Sequence, residues 1–123
     1  MHKAMQFDAT AQTVAVGRDM LAKIVAARPD PAIPVDGYTF GVATMTENSP
    51  HAGEMHPDGD EVLYLIDGKV SVTLETEPLQ VLEMLPGDGA VVPKGVWHRV
   101  DILEPSQIVY LTPGPGSEYR PLK

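Results

Sequence analysis

Residues 53–68 read GEMHPDGDEVLYLIDG, and this stretch carries the first group of polar side chains that point to a fold. Glu54 and His56 are two positions apart, so in an extended strand they share one face. A tight turn over residues 57–60, which are rich in Asp, Gly and Pro, brings the chain back. Glu61, the first residue of the following apolar run, is therefore expected beside the other two side chains.

A second stretch, GDGAVVPKGVWH at residues 87–98, carries one more donor. A Pro-Lys-Gly turn at residues 93–95 leads into a strand that presents His98 at its start. Three or four nitrogen and oxygen donors that converge from two β segments are typical of a divalent transition-metal site. Fe, Mn, Ni, Co or Zn suits such donors, whereas Cu(I) does not.

The pattern around both stretches is that of an antiparallel β fold. Apolar or alternating runs recur every eight to twelve residues or so, with turn residues between them. Twelve prolines and eleven glycines exclude a helical bundle. Asp67-Gly68 is a strong hairpin signal between two of the runs. The predicted strands, about eight in number, cover residues 13–16, 38–46, 61–66, 69–75, 79–85, 90–92, 97–103 and 107–111.

The two ends of the chain are less regular. Residues 20–27 fit a short helix capped by Asp19, and residues 21–25 fit a strand equally well. Three prolines and a glycine at residues 28–37 predict a loop. At this length we expect a single domain, made of an N-terminal arm and loop at 1–36, a β-barrel core at 37–112 and a tail at 113–123.

The first stretch resembles the first motif of the cupins, and specifically of the small single-domain cupins. The spacing of that motif is kept here: Glu54-x-His56 is followed by four residues, then Glu61, then six residues and Gly68. The sequence departs from it at two positions. The motif's first histidine is replaced by Glu54, and its first glycine by Asn48.

The second stretch matches the second cupin motif as far as its histidine, through Gly87, Pro93, Gly95 and His98. The asparagine that ends that motif is Ile102 here. The resemblance implies an all-β fold, the antiparallel cupin β-barrel, also called a jelly roll or double-stranded β-helix, preceded by a short strand or helix.

The resemblance also implies a metal held by three histidines and one glutamate, and three arrangements of this chain approach that set. Glu54 replaces the missing histidine, which gives two histidines and two carboxylates. His51 swings in from the loop and restores three histidines. In the third arrangement only the matching residues bind, namely His56, Glu61 and His98, and open positions remain for water and substrate.

The function implied by the resemblance is that of a small-molecule metalloenzyme of the dioxygenase, isomerase, decarboxylase or lyase type. The metal would be divalent, with substrate chelating at its open positions. Glu54, if it is not a ligand, is the expected general base. The alternatives are a non-catalytic cupin that binds metal or a small molecule, and a metal-free structural barrel.

Charge and composition exclude several other functions. The net charge is −8, and residues 29–68 carry eight acids with no Lys or Arg. Such a chain repels phosphate backbones, so we expect no nucleic-acid partner. No apolar run approaches the length of a membrane span. We expect a cytoplasmic location, because cysteine is absent and the N-terminus has no apolar leader.

Alternation along the strands predicts which side chains face the barrel interior. His98 and Glu61 point inward, so Trp97 and Arg99 are expected to point outward. The predicted interior and pocket walls are apolar or aromatic: Leu63, Leu65, Val96, Val100, Phe40, Met45 and Tyr110.

The opposite face of the same strand is also apolar. Val62, Tyr64 and Ile66 alternate with the inward set, and a chain of 123 residues has no second layer to cover them. We therefore expect a homodimer that buries this face.

Overall fold

The computed structural model of the protein describes residues 3–29 and 31–122, and this part of the chain contains nine strands and no helix. Every strand pair is antiparallel, which confirms the predicted all-β fold class. The strands are β1 (Gln12–Gly17), β2 (Ala22–Ala26), β3 (Gly37–Met45), β4 (Gly53–Met55), β5 (Glu61–Leu74), β6 (Gln80–Met84), β7 (Gly89–Val92), β8 (His98–Gly114) and β9 (Glu118–Arg120). The described residues contain no helix that is long and apolar enough to cross a lipid bilayer. The cytoplasmic location and the division into arm, core and tail stay predictions.

Two long bent strands, β5 and β8, join two facing layers. The second half of β8 pairs with β3 and with the first half of β5, which also pairs with β7. The hairpin β1–β2 continues this six-stranded layer beyond β3. The first half of β8 pairs with β4 and with the second half of β5, while β6 and β9 complete a five-stranded layer.

The bend in β5 corrects the predicted hairpin at Asp67-Gly68. The strand runs on through both residues, and its register against β8 shifts between Leu65 and Val70, which marks a bulge. Gly68 has φ +94°, and a Cβ there would collide with Ser106 on β8. The dipeptide turns the strand from one layer into the other because β8 bends alongside it and keeps both halves paired.

The N-terminal segment resolves as a strand, so the helical alternative over residues 20–27 is wrong. Asp19 accepts a hydrogen bond from the Leu21 amide at 3.0 Å, and Met20 has φ 70°. These features make a tight turn, after which β2 pairs with β1 in continuous register. The edge of the sheet beside β1 thus decides the structure of a segment whose own pattern is ambiguous.

The core lies between the two layers. The inward residues of β5 alternate with exposed ones, as predicted for Leu63 and Leu65. They pack with apolar side chains from the opposite layer, which include Val70, Val72 and Leu74. This core fills one end of the barrel, and at the other end the inward positions become polar.

Candidate metal centre

The polar end of the barrel brings together the donors of both motifs. Glu61 and His98 are the first residues of β5 and β8. Glu54 lies in β4, where it is the register partner of His98. His56 follows β4 directly. One ligand atom from each of these four residues lies within 4.8 Å of the other three.

The distances within this cluster suit a divalent ion. The His98 Nε2 atom lies 3.0 Å from Glu61 Oε1 and 3.2 Å from Glu54 Oε1. The His56 Nε2 atom lies 3.4 Å from Glu61 Oε2 and 3.8 Å from Glu54 Oε1. Neighbouring ligand atoms around an ion with bonds of about 2.1 Å are separated by about 3.0–3.4 Å. The four residues therefore need only small movements to coordinate one ion.

The Nδ1 contacts of both histidines leave their Nε2 atoms facing the cluster. The His98 Nδ1 atom lies 3.2 Å from the Val96 carbonyl oxygen, which can only accept. The His56 Nδ1 atom lies 2.7 Å from Ser117 Oγ, and that hydroxyl can donate to the Pro113 carbonyl at 3.4 Å. With the proton on Nδ1 in each ring, both Nε2 lone pairs are available to a metal.

One buried atom in the cluster indicates that it is built for a cation. Among the described residues, His56 Nε2 has no hydrogen-bond partner. The side chain is only 3% exposed, and the neighbouring carboxylate oxygens of Glu61 and Glu54 lie 3.4 Å and 3.8 Å from this atom. An unsatisfied buried polar atom costs free energy. A divalent ion held by these four residues would remove that cost, so the residues fit the group that the fold implies.

In the absence of a metal ion, protons on the two histidines neutralise the negative charges of the two carboxylates. Burial would lower the pKa of both histidines, but the carboxylates of Glu54 and Glu61 outweigh it, raising the pKa of His56 to about 9 and of His98 to about 10. Burial would raise the pKa of Glu54, but His56 and His98 lower it to about 2. The pKa of Glu61 is lowered for the same reason. Two imidazoliums thus neutralise two carboxylates, and one divalent ion can replace their two extra protons without changing the net charge.

Thr112 and Ser117 complete the centre, and sequence reasoning missed both. Thr112 Oγ1 donates to Glu61 Oε2 at 2.6 Å, which holds the carboxylate in place. It lies two positions after Tyr110, so alternation along β8 was the signal for it. Ser117 holds His56 from a loop rich in proline and glycine, and nothing in its sequence context marks that role.

His51 lies outside the group of four potential ligands. Its Nδ1 atom accepts a hydrogen bond from the Gly53 amide at 3.2 Å, and its Nε2 atom lies 3.7 Å from Glu54 Oε2. The ring also packs against Tyr119, with ring centroids 5.2 Å apart. In this arrangement Glu54, and not His51, occupies the position of the missing motif histidine, and His51 contacts the outer oxygen of that carboxylate.

The C-terminal strap, which we define as residues 115–120, holds the first motif in place. β9 pairs with β4 over three residues, and the Gly116 amide donates to Asp58 Oδ2 at 2.6 Å. The Arg120 guanidinium lies 4.2 Å above the Trp97 ring and pairs with Glu75. The strap is therefore fastened on both sides of the segment that carries Glu54 and His56.

The cluster opens into a cavity of about 320 Å³, which is at the small end of ligand pockets. Glu54 and Glu61 line it, together with further polar or charged residues: Thr39, Asn48, Ser49, His51, Arg99, Tyr110, Thr112 and Tyr119. Its apolar walls are Ala43, Met45, Leu63, Val100 and Ile108.

Four expectations about the residues around the cavity have different outcomes. Met45 and Tyr110 line it as predicted. Phe40 does not, because β3 directs it to the outer face, where it is 37% exposed. Arg99 is exposed as predicted, yet it also borders the cavity mouth, where it pairs with Asp101. Trp97 does not line this cavity, as expected for a side chain that alternates with His98.

The family of the chain follows from its sequence as well as from this geometry. The sequence model of the Cupin_2 family, described as 'Cupin domain', matches residues 41–112 of this chain. The chain therefore belongs to the cupin family. The segment that includes Ser117 and β9 lies beyond the matched residues. No curated protein is detectably similar to the chain in sequence.

Solved structures of the same fold include a cupin-2 domain protein of Shewanella frigidimarina, with 23% identity, a TM-score of 0.54, and coverage of 67% of this chain and 76% of that one. A protein of Neisseria meningitidis is similar at 23% identity and a TM-score of 0.51, covering 67% of this chain and 79% of its own. Oxalate decarboxylase of Bacillus subtilis, described with Mn(II) centres, is 19% identical with a TM-score of 0.58. That match covers 69% of this chain but only 24% of the decarboxylase. At these identities the likeness shows the fold alone.

Proposed function

We propose that the protein is a metal-dependent enzyme that acts on a small, mainly apolar molecule with an oxygen function at one end. The observation that carries this proposal is that two of the four clustered residues, Glu54 and Glu61, line a cavity whose surface is mostly apolar. A site that only stabilised the fold would not need to open into a pocket. The bound ion would supply Lewis-acid or redox chemistry to the oxygen function of the substrate.

The donor set favours a hard ion within the group of Fe, Mn, Ni, Co and Zn. Two carboxylates and two imidazoles contain more oxygen than a set of three histidines and one carboxylate. Carboxylate oxygen suits Mn(II), and sets of histidine and carboxylate with open positions suit Fe(II). The Mn(II) centres of the similar oxalate decarboxylase fold are compatible with this choice. We infer that Mn(II) or Fe(II) is the resident ion.

The chain's own residues would bind and orient the substrate. The apolar walls exclude water and contact its carbon skeleton, and their burial on binding contributes most of the affinity. The hydroxyl of Tyr110 can bond to a polar group of the substrate. Arg99 is the cation at the cavity mouth, but its pairing with Asp101 weakens it as an anchor for an anion.

Glu54 is the residue proposed to move a proton. Its lowered pKa keeps it ionised at neutral pH, and its side chain is 21% exposed towards the cavity. Because Oε1 faces the cluster and Oε2 faces His51, the outer oxygen is the one that can accept a proton from bound substrate.

Metal content, measured by mass spectrometry on untagged protein, tests the proposal. We expect near-stoichiometric Mn or Fe in the wild type and in His51→Ala, and loss of metal in Glu54→Ala. Metal-loaded protein should then consume a compound from a panel of small oxo and hydroxy acids, with His98→Ala as the inactive control. A wild type that takes up no metal on reconstitution contradicts the metalloenzyme. Metal and ligand binding without turnover identifies a binding protein instead.

A further inference from the structure

We propose that a second cavity, which we name the arm cavity, binds a small carboxylic acid with an apolar chain and pairs its carboxylate with Arg28. The arm cavity lies beside the cavity at the metal centre, which we name the metal cavity. The inference goes beyond the proposed function, because it concerns none of the four potential ligands. All but one of the residues that line the arm cavity precede residue 41, where the match to the cupin family begins.

The arm cavity is formed where the loop after β2 lies over the inner face of the six-stranded layer. Four strands of this layer contribute to it, through Thr13 on β1, Val25 on β2, Thr39 on β3 and Tyr110 on β8. The other lining residues belong to the end of β2 and to the loop: Ala26, Arg28, Pro29, Ala32, Ile33 and Val35. The cavity has a volume of about 230 Å³, which suits a small molecule.

The loop that forms one wall is held at both of its ends. At its start, the Ala27 amide donates to the Ala11 carbonyl at 3.0 Å, and Arg28 has φ 51°. This left-handed conformation is uncommon for a residue with a side chain, and such residues are concentrated at ligand sites. At the end of the loop, a Cβ on Gly114 would lie only 2.6 Å from the Val35 carbonyl oxygen. The loop therefore packs closely on β8 because residue 114 is glycine.

Tyr110 forms the partition between the two cavities, and it lines both of them together with Thr39. Tyr110 is the register partner of Gly41 on β3, where a Cβ would lie 2.5 Å from the phenol oxygen. The same Cβ would lie 2.8 Å from Thr13 Cγ2 on β1. The ring thus reaches across β3 towards β1 because residue 41 has no side chain. A ligand in the arm cavity would contact the same ring as a substrate in the metal cavity.

The charges that line the two cavities differ in sign. The metal cavity contains the carboxylates of Glu54 and Glu61. Among the described residues that line the arm cavity, Arg28 is the only charged one, and the rest are apolar or carry a hydroxyl group. The chain has 17 acidic and nine basic side chains, so a cavity with an arginine and no described acid is a favourable place for an anion.

The Arg28 guanidinium is available to pair with such an anion. The other three arginines, Arg18, Arg99 and Arg120, each pair with a carboxylate of the chain. Within residues 3–29 and 31–122, no carboxylate pairs with Arg28. Burial raises the pKa of Tyr110, and the charge of Arg28 partly offsets this effect, so the guanidinium lies near the phenol. A guanidinium can donate two parallel hydrogen bonds to one carboxylate.

The apolar wall would supply most of the affinity for the chain of the ligand. Val25 is 37% exposed and Ile33 is 70% exposed. A chain that lies against them removes apolar surface from water, and this contribution grows with the number of its carbon atoms. Arg28 is itself exposed, so its ion pair would add a smaller factor and would mainly select the charged end.

Titration of ¹⁵N-labelled protein with hexanoate, hexan-1-ol and acetate, followed by NMR, tests the proposal. Hexan-1-ol lacks the charge and acetate lacks the apolar chain, so each should bind at least about fivefold more weakly than hexanoate. The amide signals of Val25, Ala32 and Ile33 should shift on binding. The affinity should be the same in metal-free and Zn(II)-loaded protein, because none of the four potential ligands lines the arm cavity.

Arginine variants separate the charge of Arg28 from the structure of the loop. Arg28→Gln should lower the affinity for hexanoate to that for hexan-1-ol, whereas Arg28→Lys should retain the preference for hexanoate. Arg18→Gln is the matched control. Arg18 pairs with Asp36 at the end of the same loop but does not line the arm cavity, so this variant should bind hexanoate like the wild type.

Several outcomes overturn the proposal. They are a wild type that does not bind hexanoate, equal affinities for hexanoate and hexan-1-ol, and an equal loss of affinity in Arg28→Gln and Arg18→Gln. Acetate that binds as tightly as hexanoate would indicate an adventitious ion only. Binding that requires Zn(II) would place the carboxylate on the metal ion instead. Because the titration is also carried out without metal, its result does not depend on whether the protein is a metalloenzyme.

Discussion

The four potential ligands form two pairs that the fold holds in different ways. Glu61 and His98, which we name the barrel pair, begin the two longest strands and have side chains only 4% and 0% exposed. Glu54 and His56, which we name the strap pair, lie in and after a strand of three residues, held by the C-terminal strap. The single departure from the family's ligand set, Glu54, falls in the strap pair. The comparison indicates that the barrel fixes one half of the centre and that local contacts adjust the other half.

The largest effect is expected from the barrel pair. His98→Ala removes a donor that contacts both carboxylates, so metal binding should be abolished in isothermal titration with Mn(II). The metal-free variant should also unfold more easily, because removing one partner of a buried ion pair costs about 3–5 kcal/mol. The matched control is His51→Ala, and full metal binding by His98→Ala would contradict the assignment of the barrel pair.

The next largest effect is that of pH on metal affinity. At pH 7 both histidines carry a proton that the ion must displace, because their pKa values are raised to about 9 and about 10. Two displaced protons predict an affinity that rises by about 100-fold for each pH unit below pH 9. Titration in buffers of different ionisation enthalpy should show the release of about two protons per ion. Release of none would show that the histidines are already neutral.

The same pKa values predict opposite stability trends without and with metal. The histidines stabilise the metal-free fold fully below their ordinary value of 6.5, and this contribution is lost as the pH rises through 9 to 10. Glu54 stabilises it above 4.5, and this contribution is lost as the pH falls towards 2. The melting temperature of metal-free protein should therefore be highest between pH 4.5 and 6.5. The stabilisation added by metal should instead increase between pH 6.5 and 9.

A smaller change in metal binding is expected when one residue of the strap pair is replaced by a different metal donor. Glu54→His restores the imidazole of the family motif and removes one negative charge. Imidazole suits Ni and Zn better than Mn, so competition experiments should show a preference shifted from Mn(II) towards Zn(II). An unchanged preference would mean that Glu54 does not coordinate the ion.

Substitution of Ser117 should perturb only His56 among the four potential ligands. Ser117→Ala removes the contact at Nδ1, and loss of such an outer contact lowers metal affinity by about 10- to 100-fold. Ser117→Thr keeps the hydroxyl and should recover most of the affinity. The ¹⁵N shift of His56 Nδ1 should change in the alanine variant while that of His98 stays constant. A general loss of structure would change both.

The smallest effect is expected at His51. Its contact with Glu54 is long and partly exposed, and such pairs contribute about 0.2–1 kcal/mol. His51→Ala should therefore lower metal affinity by less than about fivefold. A larger loss would place His51 among the ligands.

Spacing and alternation predicted the all-β fold and most of the inward-facing residues, because these properties depend on positions close together in the chain. Spacing also marked the donors within each motif, and the resemblance to the cupins implied that the two motifs hold one metal ion together. Only local geometry is needed to recognise the Glu54-x-His56 spacing, the position of Glu61 after a turn and that of His98 after Pro-x-Gly. The apolar outward positions Val62 and Tyr64 follow from the same period of two.

The tertiary structure decided what depends on residues far apart in sequence. Asp67-Gly68 bends a strand and does not close a hairpin, because β8 pairs on both sides of it. Glu54 takes the position of the missing histidine, and His51 does not, because β4 pairs with β8 and β9. Ser117 reaches His56 across 61 residues, a contact that no local pattern encodes.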